Sequence, residues 1–309
     1  MKKFWVFVFV VVFLFGCANE TAMANSVHSG KIKVITTIFA PFDFVREIVG
    51  DSTQIEVSML LPPATEVHSY EPSPKDILTI QNSELFIYIG GDSDYWVDVL
   101  LNSFDDKVKT IELLECVDLL DDDYEHYHYD GKYMGLDPHV WTSPKNAKVI
   151  VSAIAEEICR IEPENADLYR KNAAEYLEKL THLDTQFQDV VDNAARQVIV
   201  FGDRFPFRYF AQHYGLEFFA AFPGCSAQTE PSAAMVAFLI DEVNEKNIPA
   251  VFHAELSDKK MATAISEATG AKVSLLHSCH NVTKDELESN VSYLDLMQMN
   301  LITLKEALN

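Results

Sequence analysis

The feature that most limits how this chain can fold is the stretch 163–195. Apolar side chains recur there at Tyr169, Ala173, Tyr176, Leu180, Leu183, Phe187, Val190 and Ala194. The steps alternate between four and three, which keeps one stripe on one face of an α-helix. Pro163 suits a first helical turn, Glu162 and Glu164 favour the positive end of its dipole, and no later glycine or proline interrupts the run. Roughly 32 residues at ~1.5 Å each make a rod of about 48 Å. Such a rod spans a whole domain. It is expected to be a rigid connector between an N-terminal lobe, 31–162, and a C-terminal lobe, 196–309.

Both flanks carry the same alternation. Apolar β-rich runs stand near 32–38, 55–61, 85–90 and 108–114, with helical patterns near 41–49, 74–82, 94–103 and 144–160. After the rod the runs return at 197–202, 217–222, 250–256 and 272–277, with helices expected over 206–213, 231–246, 258–268 and 284–308. Near-continuous apolar strands alternating with helices imply parallel sheets covered on both faces. The expected fold class is therefore α/β, with two lobes, each a four-stranded parallel sheet flanked by helices. No convincing sequence repeat accompanies this repeat of architecture.

The start of the chain reads as an export signal. Lys2 and Lys3 precede an apolar run from Phe4 to Phe15, too short for a comfortable membrane span and of the length of a signal core. Gly16-Cys17 resembles a bacterial lipoprotein box, so residues 1–16 are expected to be removed and Cys17 lipidated; a plain secretory peptide cleaved nearby is the alternative. Residues 18–30 are small and polar, and extend the Cys17 anchor as a flexible tether. Loss of Lys2 and Lys3 takes the formal charge from −23 to −25. A chain this acidic repels nucleic acid and attracts cations.

Open parallel sheets bind ligands beyond the carboxyl ends of their strands, and several donor side chains fall there. His68 follows the second run, in PPATEVHSYEPSP (62–74). His139 lies in DPHVWTSPKNA (137–147), beyond the fourth. In the second half, Asp203 ends the first run, Glu255 the third and His277 the fourth. His280 substitutes for His277 if that strand runs longer. Taken singly, each has an ordinary alternative: Asp203 as a helix cap, Glu255 as a partner of Lys259 or Lys260, His277 as a core side chain. Jointly they suggest that two facing sheet edges enclose one cation.

The two histidine segments carry a family resemblance. PPATEVHSYEPSP is similar to a Pro-Pro-Gly-x-x-x-His-x-Tyr-Glu-Pro segment, and DPHVWTSPKNA to an Asp-Pro-His-x-Trp segment, of the zinc- and manganese-binding solute receptors of ABC transporters. The resemblance covers the mature chain and implies that His68 and His139 are the first two ligands. The second lobe departs from it. Where many members carry His-Asp-Ala-Phe, this chain has Gly202-Asp203-Arg204-Phe205, so Asp203 is the substitute ligand, with Glu230 in reserve. His277 stands where the family often has an aspartate.

Three imidazoles plus a carboxylate or water suit Zn2+. Mn2+ or Fe2+ is the alternative cargo, manganese being better served by more oxygen donors. His126 and His128, within DDDYEHYHYD (121–130), form either a short metal-collecting arm or an ordinary acidic surface loop. A Cys225–Cys279 disulfide is expected from loops in one half; buried thiols or thiolate ligands are the alternatives. The implied function is an extracytoplasmic, lipid-anchored, monomeric receptor that delivers a metal ion to a membrane permease. It is not an enzyme: a zinc hydrolase would cast Glu255 or Asp203 as base, but no H-E-x-x-H motif occurs. A surface adhesin that kept the fold is the remaining alternative.

Overall fold

The structure is a computed structural model that describes residues 30–65, 70–104, 108–120, 137–223 and 231–309. The signal segment with Cys17, His68, the 121–130 stretch with His126 and His128, and both Cys225 and Glu230 lie outside the described residues.

The first half holds strands β1 (Ile32–Thr36), β2 (Ile55–Met59), β3 (Leu85–Tyr88) and β4 (Lys109–Glu112). They form one parallel sheet in the order β2-β1-β3-β4, with Val34 paired to Val57 on one side and Leu85 on the other. The second half repeats this with β5 (Val198–Phe205), β6 (Glu217–Pro223), β7 (Ala250–His253) and β8 (Lys272–Leu275), in the order β6-β5-β7-β8. In both sheets the chain leaves the first strand to one side and returns on the other. A crevice therefore opens at the carboxyl ends of β1 and β3, and of β5 and β7.

The helices are α1 (Phe39–Val49), α2 (Pro74–Gln81), α3 (Tyr95–Leu101), α4 (Pro144–Ile161), α5 (Ala166–Asp192), α6 (Arg208–Tyr214), α7 (Ala233–Glu245), α8 (Lys260–Thr269), α9 (Lys284–Glu288) and α10 (Tyr293–Leu308). Alternate strand residues face opposite layers. Val34 and Ile87 join the central core, whereas Ile35 and Phe86 pack outward with Ile80 of α2 and Val97 of α3. In the second sheet Phe201 and Phe252 face the centre, while Val200 and Val251 meet Leu239, Val243 and Ile265 of α7 and α8.

Helix α5 is the expected rod, shorter than the expected span of 163–195. Pro163–Asn165 form a separate 3-10 turn, and 27 residues follow, about 40 Å of helix. Tyr169, Ala173, Tyr176, Leu180, Leu183 and Phe187 are buried as the spacing predicts. The helix packs on α1 and α4 of the first half and on α6 and α10 of the second. One continuous apolar core consequently runs through both halves.

Three boundaries differ from expectation for local reasons. The 284–308 run is two helices, because Thr283 with Glu286 and Ser292 with Asp295 each make a capping box, and Asn290 between them has φ 63°. Strand β5 continues to Phe205 through an irregular register between Phe201 and Arg204, so Asp203 lies inside the strand. Strand β8 stops at Leu275, so His277 is on a loop.

Candidate metal centre

The loop after β8, residues 276–283, leaves its own half and crosses to the first. Phe39 N–H, at the start of α1, donates to His280 O (2.9 Å), and Ala64 N–H donates to Val282 O (2.8 Å). The Asn281 amide donates to both Pro62 O (2.8 Å) and Thr65 O (2.9 Å). Asn281 is buried, so these bonds form out of competition with water. Pro62 and Thr65, which precede His68 in sequence, are thus fastened to the residue that follows His280.

His139 arrives from the opposite side. Pro138 precedes it, and Val140–Thr142 form a single 3-10 turn that leads into α4. The Asp137 carboxylate accepts from His139 N–H (2.9 Å) and from ring Nδ1–H (2.8 Å). A carboxylate can only accept here, so in the neutral ring the proton sits on Nδ1 and Nε2 is the nitrogen that carries a lone pair. Thr142 Oγ1 donates to His139 O (2.8 Å) and fixes the turn.

Trp141 joins the two sides. Its indole N–H donates to Ser278 O (2.8 Å), and its own carbonyl accepts from Tyr293 OH (2.8 Å). Its ring centre is 5.5 Å from that of His139 and 4.9 Å from that of His280. The two imidazole centres are 5.5 Å apart, with their planes at 90°. With Zn–N bonds of ~2.0–2.1 Å, two imidazoles sharing one tetrahedral ion have centres about 5 Å apart. His139 and His280 meet that separation, and both are buried.

The other expected donors are placed differently. His277 is buried, but its Nδ1 accepts from Cys279 N–H (3.0 Å), which puts the neutral ring's proton on Nε2, and that nitrogen has no hydrogen-bond partner. Its main chain is clamped by Asn300, whose side chain accepts from His277 N–H (2.7 Å) and donates to His277 O (2.8 Å). Asp203 spends its two oxygens on Arg204 N–H (2.8 Å) and Ala254 N–H (3.2 Å). Glu255 accepts from Ser278 N–H, Ser278 Oγ–H and His280 N–H. His253 donates from Nδ1 to Ala254 O (2.7 Å), and burial holds its pKa below the usual value.

Gly202 explains why no side chain stands on β5 at that point. A Cβ there would lie 2.5 Å from Ala262 Cα and 2.6 Å from Ala262 N, so β5 and α8 meet backbone to backbone. Among the described residues no set of three or more His, Cys, Asp or Glu side chains converges as a metal cage. The pair His139–His280 is what they supply. Among the described residues Cys279 is a buried free thiol, and Cys116 and Cys159 are free as well; Cys225, the expected partner of Cys279, lies outside them. The left-handed backbone of Cys279, φ 59°, and the Sγ contact to His277 O turn that thiol inward.

The sequence alone did not reveal that the 276–283 loop would cross between halves. The signal for the Asp137 brace was present: an acidic residue two positions before a histidine, with a proline between. Two parallel-sheet lobes on one helix, with imidazoles from both halves meeting in the crevice, define a solute receptor of the metal-binding class. Residues 34–307 match the family described as zinc-uptake complex component A, periplasmic, and the chain belongs to that family.

Relatives agree along the whole length. The chain is 31% identical over 319 residues to the high-affinity zinc uptake system protein ZnuA of Bacillus subtilis, covering 100% of this chain and 99% of that one. It is 31% identical to the zinc-binding lipoprotein AdcA of Streptococcus pneumoniae over 96% of this chain, but spans only 58% of AdcA. The Zn(II)-bound ZnuA-like domain of that AdcA superposes with a TM-score of 0.75 at 31% identity, over 90% of this chain and 99% of the domain. The laminin-binding protein of Streptococcus agalactiae, described as having both adhesin and metal-transporting activity, superposes with a TM-score of 0.74 at 26% identity, over 90% of this chain and 100% of that one.

Proposed function

We propose that this chain is the extracytoplasmic receptor of an ABC transporter, that it captures Zn2+ in the crevice between its halves, and that it hands the ion to a membrane permease. Lipidated Cys17 tethers it outside the cytoplasmic membrane, and it works as a monomer without catalysing a reaction. The ligands are His139 from the first half, His280 from the second and His68, three residues along the chain from the Thr65 that Asn281 holds. The observation that carries this is the perpendicular His139–His280 pair with centres 5.5 Å apart, together with Asp137 setting the His139 tautomer. His280 takes the role the sequence gave to His277, because the Nδ1 of His277 is occupied by Cys279 N–H. All-imidazole donation favours Zn2+ over Mn2+ or Fe2+.

Elemental analysis of the purified mature protein tests this, with His68→Ala, His139→Ala and His280→Ala alongside. One zinc per chain is expected in the unaltered protein, and a strong loss in each variant. Stoichiometric zinc retained in both His139→Ala and His280→Ala would refute the site. A second role in adhesion rests on the likeness to the streptococcal laminin-binding protein. Binding to immobilised laminin, measured with and without zinc, decides it.

A further inference from the structure

Glu255 is a carboxylate beside the imidazole pair, and its geometry gives it a task other than ligation. It stands just past the end of β7, at the switch point of the second sheet, with its side chain 8% exposed. Oε1 accepts from Ser278 Oγ–H (2.5 Å) and from His280 N–H (3.2 Å), and Oε2 accepts from Ser278 N–H (2.7 Å). His280 N–H also faces Ser278 Oγ (3.3 Å). Three donors of one short loop thus close on one carboxylate. Between them Cys279 is held at φ 59°, a conformation an L side chain rarely adopts. Without an acceptor at this point, Ser278 N–H would be buried without a partner and His280 N–H would keep only its longer contact to Ser278 Oγ, at odds with how native loops are built.

We infer that Glu255 is a positioning residue for the metal centre: it folds residues 278–280 around its carboxylate and thereby aims His280 at His139. This rests on the reading of His280 as a ligand. The charge matters as well as the shape. An amide has one acceptor oxygen, so a glutamine at 255 leaves its NH2 facing a loop N–H, donor against donor. The loop then shifts, and the imidazole loses its register with the first half. Groups that orient a metal ligand characteristically change affinity 10–100-fold when removed.

The test is a double-mutant cycle on the full mature chain, read as zinc affinity by competition with a chromogenic chelator. Glu255→Gln is expected to weaken zinc binding 10–100-fold when His280 is present. In a His280→Ala background the same change is expected to alter affinity less than about twofold, since there is no imidazole left to aim. Ser278→Ala, which removes one of the three donors, is expected to give a smaller loss with the same dependence on His280. An equal loss in both backgrounds would make Glu255 a ligand or a general stabiliser and overturn the inference, as would unchanged affinity in Glu255→Gln. If His280→Ala itself binds zinc like the unaltered protein, the ligand assignment fails first, and the inference falls with it.

Discussion

Placing an alanine at Gly202 is a stringent test of how the second half is assembled. The new Cβ would sit 2.5, 2.6 and 2.9 Å from Ala262 Cα, N and Cβ. The two nearest atoms are main chain and cannot rotate away, so α8 must move off β5 by several tenths of an ångström. Overpacking of this kind costs about 1–3 kcal/mol. For a chain of this size each kcal/mol lowers the midpoint by about 2–4 °C, so Gly202→Ala should melt about 2–12 °C below the unaltered protein. Adding Ala262→Gly removes only the Cβ contact and itself costs about 1 kcal/mol of helix propensity. The double variant should therefore recover little. Gly202 supplies no donor, so zinc affinity, measured below the melting range, should stay within about twofold in both. A histidine at 202 should melt lower still without tightening zinc binding. Thermal unfolding by circular dichroism provides the readout. A Gly202→Ala midpoint at or above that of the unaltered chain would refute the backbone contact between β5 and α8.

Asp43 is buried where α1 meets α10, and burial pushes its pKa up to about 7 against the pull of Tyr293 N–H and Arg46. The folded state therefore holds this proton more tightly than the unfolded chain. Stability should fall as pH rises from about 4 to about 7 and level off above, relative to an Asp43→Asn variant that lacks this slope; urea unfolding across that range measures it. Tyr293→Phe deletes the bond to the Trp141 carbonyl and leaves a buried acceptor unpaired, so it should cost about 1–3 kcal/mol in the same assay and also loosen zinc. Zinc affinity itself should drop on acidification, because ligating imidazoles must be neutral. Calorimetric titrations at several pH values that give one constant affinity would speak against imidazole ligation.

Much of the architecture was legible because burial leaves simple patterns. Strands covered on both faces read as unbroken apolar runs, and Tyr169 through Phe187 advertise a single buried helix face. Asp137-Pro138-His139 announced a fixed histidine for a local reason: its brace is two residues away. The second half of the site was harder. His280 comes beside His139 only where Asn281, Glu255 and Trp141 hold one loop across the crevice. Nothing in Leu275-Leu276-His277 shows that β8 stops early and spends His277 on its own neighbour's N–H. Gly202 likewise looked like a missing ligand, and the reason for it lies in α8, sixty residues further on.

The loop at 276–283 supplies part of the wall of the first half, bonding to Phe39, Ala64, Pro62, Thr65 and Trp141. A chain that folds from its N-terminus as it emerges can build the first sheet early, yet that sheet stays unfinished until roughly the last thirty residues arrive. On the proposed reading of the site, cargo loading then becomes a certificate of completeness: a product truncated before residue 276 would retain His139 but lack His280.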